Sequence, residues 1–274
     1  MKFAITGHLG LIGSSLKKRL EDEGNKCVFK IDIREGKDIL YDMYGEKCNA
    51  DILFHLASRC KINKCISDPE WCLENVLGVH ETLEFCRKNN IKRIVAFSSS
   101  RVLSEERNPY TASKIYLEEL CKAYYKCYNI EYIIIRPSTV YGPFNDVTHR
   151  LVDIWIRNAL NGKDLIIYGD DKKTLDFTYI NDFVDGMMFS LGSNPNNEYN
   201  ISGNEESNLK ELAEFIIKET NSKSKISFKL VELEQPQKVR VDVSAIKKLG
   251  YNPKTKLHEG IKKTIKFYKD NNLR

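Results

Sequence analysis

The sequence contains no Cys-x-x-Cys pair, no apolar run approaching the length of a membrane span, and little imbalance of charge. Each absence removes a class of protein. The eight cysteines (Cys27, Cys48, Cys60, Cys65, Cys72, Cys86, Cys121 and Cys127) lack the paired spacing of a structural zinc site. They read as reduced thiols of a cytoplasmic protein, and no metal is expected. A span needs roughly 20 apolar residues, and the opening MKFAITGHLGLIG is broken by glycine too early for a secretory signal. Neither a membrane nor secretion is therefore expected. Lys and Arg total 43 against 38 Asp and Glu, a formal charge of +5. That surplus is scattered and not interleaved with aromatics, so nucleic acid is not an expected partner. Low-complexity tracts and Gly-, Ser- or Pro-rich linkers are also missing. With 42% hydrophobic and 30% charged residues among 274, the chain has ordinary globular composition.

What is present is alternation. Short apolar runs at 2–6, 26–31, 51–55, 93–98 and 132–136 predict strands, with helices expected at 11–23, 70–89 and 108–128. Alternation of this kind builds βαβ units and a parallel sheet, and runs such as IVAF and YIIIR suit strands buried on both faces. Asp68 and Pro69 supply an N-cap and a first helical residue for the second helix. After Tyr141-Gly142-Pro143 the pattern changes. Helices are expected at 149–160, 181–191 and 208–219, strands at 165–168, 199–201 and 226–230, and a lysine-rich amphipathic helix at 257–269. The expected organisation is an α/β, Rossmann-type doubly wound parallel sheet over 1–145, completed by parts of 146–200. A small C-terminal α/β lobe for substrate then occupies most of 146–274.

Gly7, Gly10 and Gly13 lie where the first strand turns into the first helix. One glycine permits the tight turn, one lets backbone approach a pyrophosphate, and one lets helix and strand pack closely. The N–H groups that open the helix, at Leu11, Ile12 and Gly13, then face the phosphates. Asp32 ends the second strand 19 residues after Gly13, where a carboxylate accepts from both ribose hydroxyls. An acid there repels a 2′-phosphate, so NAD is expected and NADP disfavoured, with Arg34 softening the preference.

Tyr110 and Lys114, in NPYTASK, stand four apart at a helix start and share one face. A nearby ammonium is expected to draw the phenol's pKa down from about 10 toward the working pH. Such a tyrosine can exchange a proton with a sugar hydroxyl while hydride leaves or joins the carbon. Ser98, Ser99 and Ser100 end the fourth strand, and ligands of open α/β sheets bind at the carboxyl ends of strands. Hydroxyls there reach the same cleft.

Glycine turn, serine strand end and Tyr-x-x-x-Lys helix, in this order, resemble the extended short-chain dehydrogenase/reductases. More narrowly, they resemble the NAD-dependent epimerase/dehydratase family acting on nucleotide sugars. The likeness extends through DILFHLAS (51–58), ENVLGVHETLEF (74–85), RPSTVYGP (136–143), IYGDDKKTLDFTYINDFVDGM (167–187), EYNISG (198–203) and KKLGYNP near the C-terminus. It implies Tyr110 as acid/base and Lys114 as its pKa partner and ribose ligand. Counted back from Val102-Leu103, it selects Ser99 as the catalytic serine. Asp38 and Ile39 match the pair beside the adenine, Leu56, Ala57 and Ser58 the loop under the pyrophosphate, and Asn75 a helix asparagine near the cofactor. Ser98, Pro137 and Ser138 fall at further cofactor positions, and Ser100 and Thr139 at substrate positions. The likeness also implies a homodimer through helices 70–89 and 109–128, with Leu117, Leu120, Tyr124 and Tyr128 as interface candidates. His55, His8, Trp71 and Trp155 are expected to serve in packing or the turn.

Two departures bear on function. Arg101 stands where the dehydratases and decarboxylases of the family place Glu, which weakens both readings. Leu175 replaces the Arg that clamps the nucleotide diphosphate, so Lys172, Lys173, Arg150 or Arg240 must take that anion, or the substrate is unconventional. The expected function is epimerisation of a nucleotide-diphosphate sugar through a keto intermediate. The competing readings are a net sugar-nucleotide oxidoreductase and a non-catalytic dinucleotide-sensing protein.

Overall fold

The computed structural model of the chain describes residues 1–203, 206–236 and 241–273. In β1 (Lys2–Thr6), β2 (Lys26–Ile31), β3 (Ile52–His55) and β4 (Arg93–Phe97), neighbouring side chains point to opposite faces of the sheet. Phe3, Ile5, Phe54, Val95 and Phe97 enter one core, while Ala4, Leu53, Ile94 and Ala96 enter a second. Leu16 and Leu20 of α1 (Leu11–Asp22) close the first core. The second is closed by α3 (Pro69–Lys88) and α4 (Pro109–Tyr128) through Val79, Leu83, Cys86, Leu117 and Cys121. A one-and-a-half-turn helix, α2 (Ile62–Ser67), precedes α3.

The chain continues through β5 (Glu131–Pro137), β6 (Thr139–Tyr141), α5 (Leu151–Leu160), β7 (Leu165–Tyr168), β8 (Thr174–Tyr179) and α6 (Ile180–Leu191). It ends with β9 (Asn197–Ile201), β10 (Glu206–Asn208), α7 (Leu209–Thr220), β11 (Ile226–Lys229), α8 (Ser244–Lys247) and α9 (Leu257–Asp270). The main sheet has the order β2-β1-β3-β4-β5-β9, and every pairing in it is parallel. This is the Rossmann-type α/β fold expected from the sequence. The chain runs outward from β1 to β2, then crosses to β3 on the other side. Where that direction reverses, the loops after β1 and β3 part and leave a crevice at the strands' carboxyl ends.

The lobe adds a three-stranded sheet, β10-β8-β6, and a pair, β11-β7. Its helices α5, α7 and α9 bury Trp155, Ile156, Leu212, Ile216, Ile261, Ile265 and Tyr268 in the same cluster that contains Phe3 and Val95. Lobe and main sheet therefore share one continuous core. Five elements fall outside the sequence pattern: the short β6, β10 and α8, and also β8 and α2. In β8, Asp176 interrupts the apolar run, yet it is buried and accepts from the Val241 N–H at 2.8 Å. In α2 the polar stretch INKCIS gives no apolar stripe.

Behind β4 and β5 lies a matched polar network. Glu118 on α4 accepts from the Ser98 hydroxyl at 2.5 Å and from Arg136 Nε at 2.8 Å, and a second guanidinium nitrogen of Arg136 binds Glu118 and Glu198. Arg136 and Glu118 are 14% and 7% exposed, so neither can turn to solvent if the other is lost. Removing one member of a buried pair strands the other's charge, at a cost of about 3–5 kcal/mol. Glu118→Ala is expected to lower the melting temperature by roughly 10 °C, at about 2–4 °C per kcal/mol for a chain of this size. A shift below about 2 °C in calorimetry would show that the network contributes little.

Candidate active site

The cradle after β1 is defined by what it excludes. Gly7 has φ +72°, and a Cβ there would sit 2.7 Å from the Ala57 nitrogen. A Cβ on Gly13 would fall 2.2 Å from the Gly7 carbonyl oxygen, whereas at Gly10 the same contact is an ordinary 3.4 Å. Gly7 and Gly13 thus fix how closely α1 approaches β1 and β3. No side chain caps α1 at Gly10, which leaves the N–H groups from Leu11 to Gly13 toward the crevice for an anion. Asp32 is buried and accepts from Leu9 N–H at 2.9 Å and Arg34 N–H at 3.0 Å, one bond on each oxygen. A carboxylate has about four acceptor positions, so two remain for ribose hydroxyls. Arg34 donates to the Leu9 carbonyl at 2.6 Å, and buried His8 Nδ1 has no partner among the described residues. These features fit a dinucleotide.

The loop after β3 is held from beneath. Leu56 N–H donates to the Thr6 carbonyl and Ala57 N–H to the Thr6 hydroxyl, both at 3.2 Å. Asn75 Oδ1 accepts from Arg59 N–H at 2.7 Å and from the Ser58 hydroxyl at 3.2 Å, and its amide donates to the Arg59 carbonyl at 3.0 Å. Asn75 therefore orders this loop. Asp38 accepts from Leu40 N–H at 2.9 Å, closing its own turn, and Ile39 lies against Gly78 of α3. Buried His55 shares Nδ1 with the hydroxyls of Thr6 and Thr82, and burial lowers its pKa to about 3. It is a neutral packing residue.

Asn108 caps α4 by accepting from Thr111 N–H at 3.0 Å, and Pro109 takes the first helical position. Tyr110 and Lys114 then project from the first turns toward the end of β4, 8% and 4% exposed. Ser99 accepts from the Arg101 N–H at 3.2 Å and is hydrogen-bonded to the Tyr110 phenol. Lys114 Nζ lies 5.8 Å from the tyrosine ring centre and donates to the Phe97 carbonyl at 3.0 Å. The phenol is not drawn toward neutral pH as its spacing from Lys114 suggests. Burial holds it above its ordinary range, while the Ser99 hydrogen bond and the Arg101 charge pull the other way. Lys114 itself is pushed down to about 8, again by burial. Proton exchange at this phenol therefore depends on the charge and hydrogen bonds that ligands bring.

Other anticipated residues fall on both sides of the strand ends. Ser98 donates its hydroxyl to Glu118 of α4, so that donor is already used. Ser100 is buried in the 3-10 turn Ser100–Leu103. Ser138 shares a hydrogen bond with Thr178 at 2.6 Å just after Pro137, and Thr139 pairs with Phe177 between β6 and β8. Lys173 is 6% exposed and donates to the Tyr168 carbonyl at 2.5 Å. Leu175 is packed into the main core. Arg240 lies outside the described residues. Cys65 and Cys72 form a small apolar cluster with Tyr110, with Cys60 packed against it. Of the dimer candidates, Leu117 and Tyr124 belong to the protein's own core, while Tyr128 is exposed.

Crevice, cradle and strand-end tyrosine define a Rossmann-type enzyme site. The profile of the NAD dependent epimerase/dehydratase family matches residues 3–202, and the chain belongs to that family. It is 28% identical to a putative UDP-glucose 4-epimerase of Methanocaldococcus jannaschii, over 98% of each chain. It is 26% identical to UDP-glucuronic acid decarboxylase 1 of Danio rerio, over 97% of this chain and 72% of that one. Among solved structures, UDP-glucose 4-epimerase of Thermotoga maritima with UDP-glucose superposes with TM-score 0.90 at 20% identity, covering 99% of this chain and 100% of that one. At that identity the likeness speaks for the fold.

The burial of Lys114 sets a pH test. Its folded pKa of about 8 lies below the roughly 10.4 of an unfolded lysine. Below about pH 8 the ammonium is charged in both states and only the folded state bears the desolvation; above about 10.4 it is neutral in both. Lys114→Met is therefore expected to raise the melting temperature most at pH 6–7, with the gain shrinking as pH rises through 8 to 10. A gain that stays constant across that range would mean Lys114 titrates normally.

Proposed function

We propose that the chain is an NAD-dependent epimerase of a nucleotide-diphosphate sugar, acting at C4 of the hexose through a keto intermediate. The observation that carries this reading is the cluster of Tyr110, Ser99 and Lys114 at the end of β4, facing the crevice beside the glycine cradle. NAD, when bound, supplies the hydride acceptor and donor. Tyr110 takes the proton of the sugar hydroxyl during oxidation and returns it to the carbonyl oxygen on reduction, the inversion at C4 following from return of hydride to the opposite face of that carbon. Ser99 holds the reacting oxygen and donates to the phenolate. Lys114 stabilises that phenolate and binds the nicotinamide ribose, while Gly7, Gly13 and Asp32 hold the adenosine end. Lys173 and Arg240 are the proposed cations for the substrate's phosphates in place of an arginine at 175. The UDP-glucose 4-epimerases among the relatives support UDP as the nucleotide. Arg101, in the position of the dehydratase and decarboxylase glutamate, favours epimerisation over those reactions.

We also propose a cytoplasmic homodimer. On α3 and α4, Leu73, Leu77 and Tyr116 are exposed apolar side chains that a second copy would cover. Leu77→Glu should convert the species seen in sedimentation to a monomer; an unchanged sedimentation coefficient would place the contact elsewhere.

Tyr110→Phe tests the chemistry. General acid–base catalysis contributes about 10²–10⁴-fold, so turnover of UDP-sugars should fall by that factor while bound NAD is retained. Activity within twofold of the parent would remove Tyr110 from the mechanism. Stoichiometric accumulation of NADH with UDP-sugar would instead make the protein a net dehydrogenase.

A further inference from the structure

Arg101 is the fourth residue past the end of β4 and the only cation in the turn that follows Ser99. Its backbone is well used: the N–H donates to Ser99, and the carbonyl accepts from the Ser104 hydroxyl at 3.0 Å. Its guanidinium is not. Nη1 is buried and has no hydrogen-bond partner among the described residues. Glu106 and Glu232 act on the guanidinium through charge, with no hydrogen bond from either to Nη1. Burial lowers the pKa of Lys173, where Glu232 raises it and Arg101 lowers it further, so two cations lie near one carboxylate. Buried polar groups are almost always hydrogen-bonded, so a buried guanidinium nitrogen without an acceptor leaves a place for one. The arrangement makes physical sense if an anion completes it.

We propose that Arg101 recognises a carboxylate on the hexose ring, so that the substrates of this chain are nucleotide-linked uronic acids. This rests on the epimerase reading of the site. Arg101 acts on Tyr110 through its charge and shares the Ser99 turn, so an anion bound there sits beside the reacting carbon. With C4 at Tyr110, the substituent on C5 is adjacent, whereas the diphosphate hangs from C1 across the ring. A carboxylate at C5 presents two oxygens in a plane, the geometry a guanidinium fork binds in bidentate fashion.

The test compares UDP-glucuronic acid, UDP-glucose and UDP with the intact protein and its Arg101→Ser and Arg101→Lys variants, using kcat/KM for the sugars and calorimetry for all three. The parent should prefer the uronate by at least about tenfold, as expected of a charge-assisted pair. Arg101→Ser should erase that preference, and Arg101→Lys should restore part of it. Affinity for UDP should stay within about twofold. Bound NAD and a melting temperature no lower than the parent's show that the serine variant is folded, since it removes a buried nitrogen that has no hydrogen-bond partner among the described residues. Equal use of the two sugars by the parent overturns the proposal while leaving the epimerase reading intact. Equal loss of UDP and UDP-glucuronic acid binding in Arg101→Ser overturns it in favour of a diphosphate contact. If the parent binds none of the three, the epimerase reading falls and this inference with it.

Discussion

Lys114 is the constraint around which the site is arranged. A lysine ammonium is strongly hydrated and rarely buried without a counter-charge. Here it is 4% exposed and donates to a single backbone carbonyl, that of Phe97. The bond is possible because α4 begins at Pro109, with Asn108 as its cap, which sets the first turn against the end of β4. Moving that helix start by one residue would rotate Tyr110 and Lys114 about 100° away from the strand end. The helix start, the strand end and the buried cation are thus one geometric unit, and Tyr110 is carried with it.

The cations around the sheet differ in what surrounds them. Arg136 is matched by Glu118 and Glu198, and those contacts push its pKa up. Lys114, Arg101 and Lys173 are all pushed down because burial outweighs the carboxylates that act on them: Glu118 on Lys114, Glu106 and Glu232 on Arg101, and Glu232 and Asp170 on Lys173. Matched pairs stiffen a fold, whereas cations held down by burial are stabilised when a negative ligand arrives.

Much of this was legible in the sequence, for identifiable reasons. The inner strands β1, β3, β4 and β5 announce themselves because strands buried on both faces are nearly continuous apolar runs, as in IVAF and YIIIR. Gly7 and Gly13 are legible because their role is local: a side chain at either would strike backbone. What local pattern could not give is anything decided by a distant partner. Ser98, Ser99 and Ser100 are equivalent as text, yet Ser98 donates to Glu118 while Ser99 is hydrogen-bonded to Tyr110. Leu117 and Tyr124 look like interface residues on an amphipathic helix, but α3 supplies their cover within the same chain. The sign of the Tyr110 shift was missed because spacing reveals the nearby ammonium and not the depth of burial.

Leu175 bears on where an anion can be held. Its side chain is buried in the main core with Phe177 and Tyr179, an environment in which a guanidinium would lose its hydration. The strand that carries it, TLDFTY, contains no Lys or Arg. Lys173, just before β8, donates its amine to the Tyr168 carbonyl at the end of β7. A cation for an anion near this strand must therefore come from the turns that flank it, because a basic residue at 175 would have to displace apolar atoms from the core.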